Sequence, residues 1–137
     1  MEQRLSFVTL AVADVERSRA FYVDRLGWTA TTHVPGEVLM IRVGDLVMLS
    51  LWSESGFESE VGRLRRGDGC APITLAHNVG DPADVDRVLA EAQSIGAEVA
   101  PAEQRAWGGY TGYFADPDGY RWEIAYNPGS EGALVLP

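Results

Sequence analysis

The chain is poor in several things that define whole classes of protein. A single cysteine, Cys70, leaves no internal disulfide and no cysteine-built zinc site. No base stands beside it in sequence to mark a nucleophile, so it reads as a small buried hydrophobe. No apolar run approaches the ~20 residues that a membrane span needs. The start, Met1-Glu2-Gln3-Arg4, runs into a strand-like pattern without the long apolar stretch of a secretory signal. The expected location is the cytoplasm, with no membrane partner. Positive charge is also scarce: 11 basic residues face 20 acidic ones, a net charge of −9. Nucleic-acid binders rely on basic residues to displace counterions from phosphates, so no nucleic-acid partner is expected. The short run Arg63-Leu64-Arg65-Arg66 reads as a solvated loop, and an acidic surface tolerates a neutral or cationic small molecule. Histidine is limited to His33 and His77, which lack a ligand spacing such as His-x-x-x-His.

What is present is an ordinary globular mixture, 46% hydrophobic and 23% charged over 137 residues. Two helices are marked at both ends. One runs from a cap at Asp14 to Gly27, with Val15, Ser18, Phe21, Tyr22 and Leu26 on one face. The other opens at Asp81-Pro82, carries Val85, Val88, Leu89, Ala92 and Ile95, and ends at Gly96. Strands are expected near 5–12, 29–34, 37–43, 46–52, 72–79, 97–102, 108–115 and 120–126, separated by turns such as Pro35-Gly36 and Asp116-Pro117-Asp118-Gly119. Residues 53–71 lack periodicity and read as a surface loop.

The two halves repeat. Leu10 and Leu75 precede the caps Asp14 and Asp81, and the helices close at Gly27 and Gly96, offsets of 65, 67 and 69. Each half is then a βαβββ unit, and two such units must pair to cover their sheets. The expected fold is α+β: two modules, at about 1–56 and 70–128, pair into a curved mixed sheet enclosing a cleft. The helices lie on its outer face, and residues 129–137 form a C-terminal extension.

Alternation assigns the strand faces. Val8, Leu10 and Val12, then Val47, Leu49 and Leu51, then Ile73 and Leu75, then Trp122, Ile124 and Tyr126 form a uniformly apolar set that belongs beneath the helices. His77 shares their parity, whereas His33 reads as an exposed strand-end residue. The opposite set is mixed: Phe7, Thr9, Met48, Ser50, Trp52, Pro72, Thr74, Arg121 and Glu123. Glu123 is open to two readings. It is either paired with Arg121 two residues away, or a carboxylate in an apolar cleft placed for base chemistry. Seven of the thirteen aromatic residues lie between Trp107 and Tyr126, and the run Trp107-Gly108-Gly109-Tyr110-Thr111-Gly112-Tyr113 spaces large rings with glycine. With Phe7, Met48 and Trp52, the rings Trp107 and Tyr110 would border a cleft for a flat or apolar ligand. The expected ligand-binding set is thus Phe7, Thr9, Met48, Ser50, Trp52, Thr74, Trp107, Tyr110, Arg121 and Glu123.

The segments from Leu10-Ala11-Val12-Ala13-Asp14 through Phe21-Tyr22 to Leu26-Gly27-Trp28, and from Phe114-Ala115-Asp116-Pro117-Asp118-Gly119-Tyr120 through Glu123, resemble the vicinal oxygen chelate superfamily. That group includes glyoxalase I, bleomycin-resistance proteins and extradiol dioxygenases. The resemblance covers nearly the whole chain and implies the fold, not one reaction. It also implies a divalent metal held by one side chain each from the first, fourth, fifth and eighth strands. The matching positions, Phe7, Met48, Pro72 and Glu123, retain one ligand among the four, with a slip in register possible at Met48. No metal and no cofactor are therefore expected. The resemblance further implies a homodimer and, as in the drug-sequestering resistance members, metal-independent binding of a small, partly aromatic molecule. The alternatives are a glyoxalase-, lyase- or dioxygenase-like enzyme with Glu123 as its catalytic group, and a ligand-free dimerisation module.

Overall fold

The computed structural model describes residues 1–136. The chain divides into two units between Asp68 and Gly69. The first contains β1 (Phe7–Val12), α1 (Val15–Arg19), β2 (Ala30–Val34), β3 (Val38–Arg42), β4 (Met48–Ser53) and α2 (Glu54–Glu60). The second contains β5 (Thr74–Asn78), α3 (Pro82–Ser94), β6 (Glu98–Gln104), β7 (Tyr110–Ala115), β8 (Arg121–Tyr126) and α4 (Ser130–Leu134).

Each unit carries its own four-stranded mixed sheet, in the orders β1-β4-β3-β2 and β5-β8-β7-β6. The first and last strands of each unit pair in parallel and the remaining pairs are antiparallel. This is an α+β architecture built from a repeated βαβββ module.

The parallel registers correct the repeat. They begin at Phe7 opposite Met48 and at Thr74 opposite Arg121. Phe7 is therefore equivalent to Thr74, Met48 to Arg121, and Ser50 to Glu123. The first strands of the two modules are offset by 67, the same as the caps Asp14 and Asp81 and not the 65 that the Leu10–Leu75 pair implies, and the last strands by 73.

The caps act as their chemistry dictates. The Asp14 carboxylate accepts from Glu16 N at 2.9 Å and Arg17 N at 3.2 Å, and Asp81 accepts from Ala83 N at 2.7 Å and Asp84 N at 3.1 Å. Gly27 and Gly96 take positive φ of 79° and 90°, as closing residues do. Between Ala20 and Arg25 the first helix widens into a π-type turn, in which Leu26 N donates to Phe21 O at 2.9 Å. Both Phe21 and Tyr22 are buried there.

In the first module Leu10, Val12, Leu39, Ile41, Leu49 and Leu51 are buried and share one sheet face. His33 stands opposite Leu39 and reaches Glu16 of α1, which fixes the helix on that side. In the second module α3 rests on Gly112, where an added Cβ would collide with Leu89 and crowd Ala102 N at 2.9 Å. Phe114 and Trp122 stack on the same face at 6.1 Å.

Four local expectations are corrected. The aperiodic segment 53–71 contains a helix, α2, capped by Ser53 Oγ, which accepts from Gly56 N at 3.2 Å. Part of the C-terminal extension forms α4, while Pro137 lies outside the described residues. Cys70 is exposed, because it falls in the irregular stretch after α2 and not in a strand. His33 is half-buried and hydrogen-bonded instead of lying free at a strand end.

Candidate functional site

In the first module the mixed face is built by strand parity. Phe7 stands beside Met48, Thr9 beside Ser50, and Ser50 in turn beside Met40 of β3; Trp52 stands beside Val38. Phe7 is half-exposed, Met40, Met48 and Trp52 are partly exposed, and Ser50 is buried to 1%. Two polar atoms of this face are buried with no hydrogen-bond partner, Ser50 Oγ and Trp52 Nε1. Each such group costs free energy on the order of 1–3 kcal/mol, so native chains seldom keep one without a use. Beside them lies an open groove of about 480 Å³, floored by Val38, Met40 and Trp52. Gly36 and Glu37 of the β2–β3 turn bound it on one side, and Ser55, Gly56 and Glu60 of α2 on the other. The groove-bounding role of α2 is what the loop reading of this segment missed.

In the second module the mixed face centres on Glu123. Tyr113 is directly opposite it on β7, and the Tyr113 hydroxyl donates to Glu123 Oε1 at 2.9 Å. Burial, and then this hydrogen bond to the carboxylate, hold the Tyr113 phenol above its usual pKa, with Arg105 opposing them. The Arg105 guanidinium lies 6.0 Å from the Tyr113 ring centroid. It donates to Thr111 Oγ1 at 2.7 Å, Thr111 O at 3.2 Å and Glu103 Oε2 at 3.2 Å. A carboxylate, a neutral phenol and a guanidinium thus stand in a row, an arrangement suited to accepting a proton beside a developing negative charge.

Several expected site residues are placed differently. Arg121 does not pair with Glu123; it donates to Glu98 at 3.3 Å, two strands away in the same transverse row. Tyr110 shares the parity of Gly112 and Phe114, and its hydroxyl donates to Asp86 of α3 at 2.9 Å, so it belongs to the helix side. Trp107 sits in the β6–β7 turn with its ring against Gly109, 57% exposed, and not on a strand face. Thr74 is exposed, its hydroxyl donating to Arg121 O at 3.0 Å. Tyr113 closes the glycine-spaced run but was not in the expected ligand-binding set, and Arg105, Val38 and Met40 were not expected. Cross-strand register identifies Tyr113, Val38 and Met40, and hydrogen bonds to Thr111 place Arg105, which follows β6.

The metal implied by the resemblance meets the wrong donors. With the corrected repeat, the four equivalent positions are Phe7, Ser50, Thr74 and Glu123 in place of Phe7, Met48, Pro72 and Glu123. Pro72 precedes β5 altogether. One carboxylate, two hydroxyls and a phenyl ring do not suit a hard divalent ion, which selects several carboxylate or imidazole ligands. Among the described residues, no three His, Cys, Asp or Glu side chains are grouped so as to hold a metal. Nor does the chain contain a lysine, so no side-chain amine is available for covalent chemistry.

No helix among the described residues is long and apolar enough to cross a membrane. Among proteins of curated function, none matches this sequence. Solved structures do match. A glyoxalase-related enzyme from Fulvimarina pelagi is 31% identical, with 96% of each chain covered and a TM-score of 0.80. A glyoxalase/bleomycin resistance protein/dioxygenase from Nocardioides is 24% identical over 95% of this chain and 90% of its own, at a TM-score of 0.79. A lactoylglutathione lyase from Agrobacterium tumefaciens shares the fold at 20% identity, 98% coverage of each chain and a TM-score of 0.72. The family model of the glyoxalase/bleomycin resistance protein/dioxygenase superfamily matches residues 4–124. The chain is a member of that superfamily.

Proposed function

We propose that the protein binds a small, partly aromatic molecule on the mixed face of its first module, without a metal ion. The observation that carries this is the pairing of the Trp52-floored groove with two buried, unpartnered polar atoms, Trp52 Nε1 and Ser50 Oγ. A flat ligand there gains apolar burial at ~25 cal/mol per Å² and an aromatic contribution on the order of 1 kcal/mol. An acceptor on the ligand would satisfy the Trp52 N–H, which belongs to the groove's lining. Calorimetric titration with planar heteroaromatics tests the reading. Trp52→Ala is expected to weaken binding by roughly ten- to a hundredfold with circular dichroism unchanged. Equal affinities for the variant and the parent would overturn it.

A second reading, an enzyme acting through Glu123, is favoured by one observation, the Tyr113–Glu123 hydrogen bond flanked by Arg105. In it Glu123 takes a proton from bound substrate while Tyr113 and Arg105 steady the charge. Turnover that survives chelation and disappears in Glu123→Gln supports it. Exposed Leu5, Phe7 and Leu46, together with the open sheet edges, support a homodimer as the working assembly. A light-scattering mass near that of one chain at every concentration would contradict the dimer.

A further inference from the structure

We propose that the groove of the first module takes a cation: a flat aromatic molecule bearing a quaternary or protonated nitrogen. This rests on the binding reading above and specifies the charge of the ligand. The groove's wall residues include two carboxylates, Glu37 and Glu60, and no basic residue. Among the described residues neither carboxylate has an ion-pair or hydrogen-bond partner. The nearby acids are used differently: Glu54 is bound by Arg66 at 2.7 Å, Glu58 accepts from Leu64 N, and Glu16 accepts from His33 and Gly36 N. Arg42 is spent on the carbonyls of Gly44 and Asp45, and Arg19 on Asp24 and Glu16, while Arg63 and Arg65, which follow α2, do not line the groove.

Position adds to charge. Glu37 is tied to the end of β4, its carbonyl accepting from Ser53 N at 2.9 Å, and Val38 next to it stands opposite Trp52. Glu37 and Glu60 therefore approach from the two walls of a groove whose floor offers an indole face. An indole face is the strongest aromatic partner for a cation, and a carboxylate on each wall adds Coulombic attraction that partial desolvation strengthens. An anion in the same place would meet two unpaired carboxylates and the negative face of a ring. Trp52 Nε1, buried without a partner, belongs to the groove's own lining, so the groove is not merely an acidic patch.

The test uses three probes of one shape in calorimetric titrations at low ionic strength and slightly alkaline pH: N-methylquinolinium, neutral quinoline and 2-naphthalenesulfonate, each carrying a 6-methoxy group as the acceptor that the orphaned indole N–H needs. N-methylquinolinium is expected to bind about tenfold or more tighter than quinoline, with the preference shrinking as salt is added. The anion is expected to bind weakest. In Glu37→Gln/Glu60→Gln, checked for native circular dichroism, the cation and neutral affinities should converge. Quinoline binding as tightly as the cation to the parent protein would overturn the charge assignment and leave the binding reading standing. A preference undiminished in the double variant would overturn it as well. If none of the three probes binds, both readings fall together.

Discussion

Ser50 shows how one side chain carries both function and cost. Its hydroxyl is buried without a partner on a face where its structural equivalent, Glu123, has Tyr113 as a donor. Ser50→Ala is expected to stabilise the ligand-free protein by about 1 kcal/mol, a rise of a few degrees in Tm, because an unsatisfied buried hydroxyl is removed. The same change is expected to weaken ligand binding, so melting and titration move in opposite senses. Loss of stability would mean that the hydroxyl has a partner after all. Tyr113 supplies a pH test. Its folded pKa lies above its unfolded value, so its contribution is complete below the usual tyrosine pKa and is lost as pH rises through the folded one. Ultraviolet difference titration should show late-ionising phenol that decreases in Tyr113→Phe. Tyr110, raised chiefly by its hydrogen bond to Asp86, keeps the remainder. Parity along single strands places Phe7, Thr9, Ser50 and Glu123 on one kind of face, and the registers agree. The partners of Glu123 are not legible in that way. Arg121 is its neighbour in sequence, yet the residue directly opposite across the sheet is the one that touches it.

Among the elements, the strands and both long helices were legible because alternation and caps mark them locally. The short helix α2 was not. Glu-Ser-Gly-Phe-Glu-Ser-Glu has no apolar stripe, and none of its residues is buried, so no periodicity announces it. The same holds for the repeat: Leu75 matches either Val8 or Leu10, apolar residues of one face, and the starts of the parallel ladders, together with the caps, favour an offset of 67 over 65. The β2–β3 turn that borders the groove is held by Glu16 of α1. Glu16 accepts from His33 at 2.9 Å and from Gly36 N at 3.2 Å, and the hydrogen bond from His33 chiefly holds its carboxyl below the usual carboxylate range. With the folded pKa depressed, this tether is complete above the ordinary carboxylate pKa and fails as pH falls through the folded value. The protection factor of the Gly36 amide, its exchange corrected for the intrinsic pH dependence, is expected to fall on acidification more in the parent than in Glu16→Gln. An identical acid response in both would contradict the tether.

At the scale of the whole molecule, family membership and the α+β repeat were legible before any coordinates, since they reside in helix caps, turn residues and alternation distributed along the chain. The chemistry was less so, because it depends on which donors four positions retain and on which polar atoms are left unsatisfied. As proposed above, this member of the superfamily binds a ligand at the Trp52 groove with no metal involved. The most direct measurement follows the indole N–H resonance of Trp52, assigned through Trp52→Phe, in chelator-treated protein titrated with the same 6-methoxy-bearing N-methylquinolinium. The predicted result is a shift that saturates at one ligand per chain and is unchanged by added zinc, nickel or manganese. A Trp52 resonance that stays still, or moves only once a divalent metal is supplied, would contradict it.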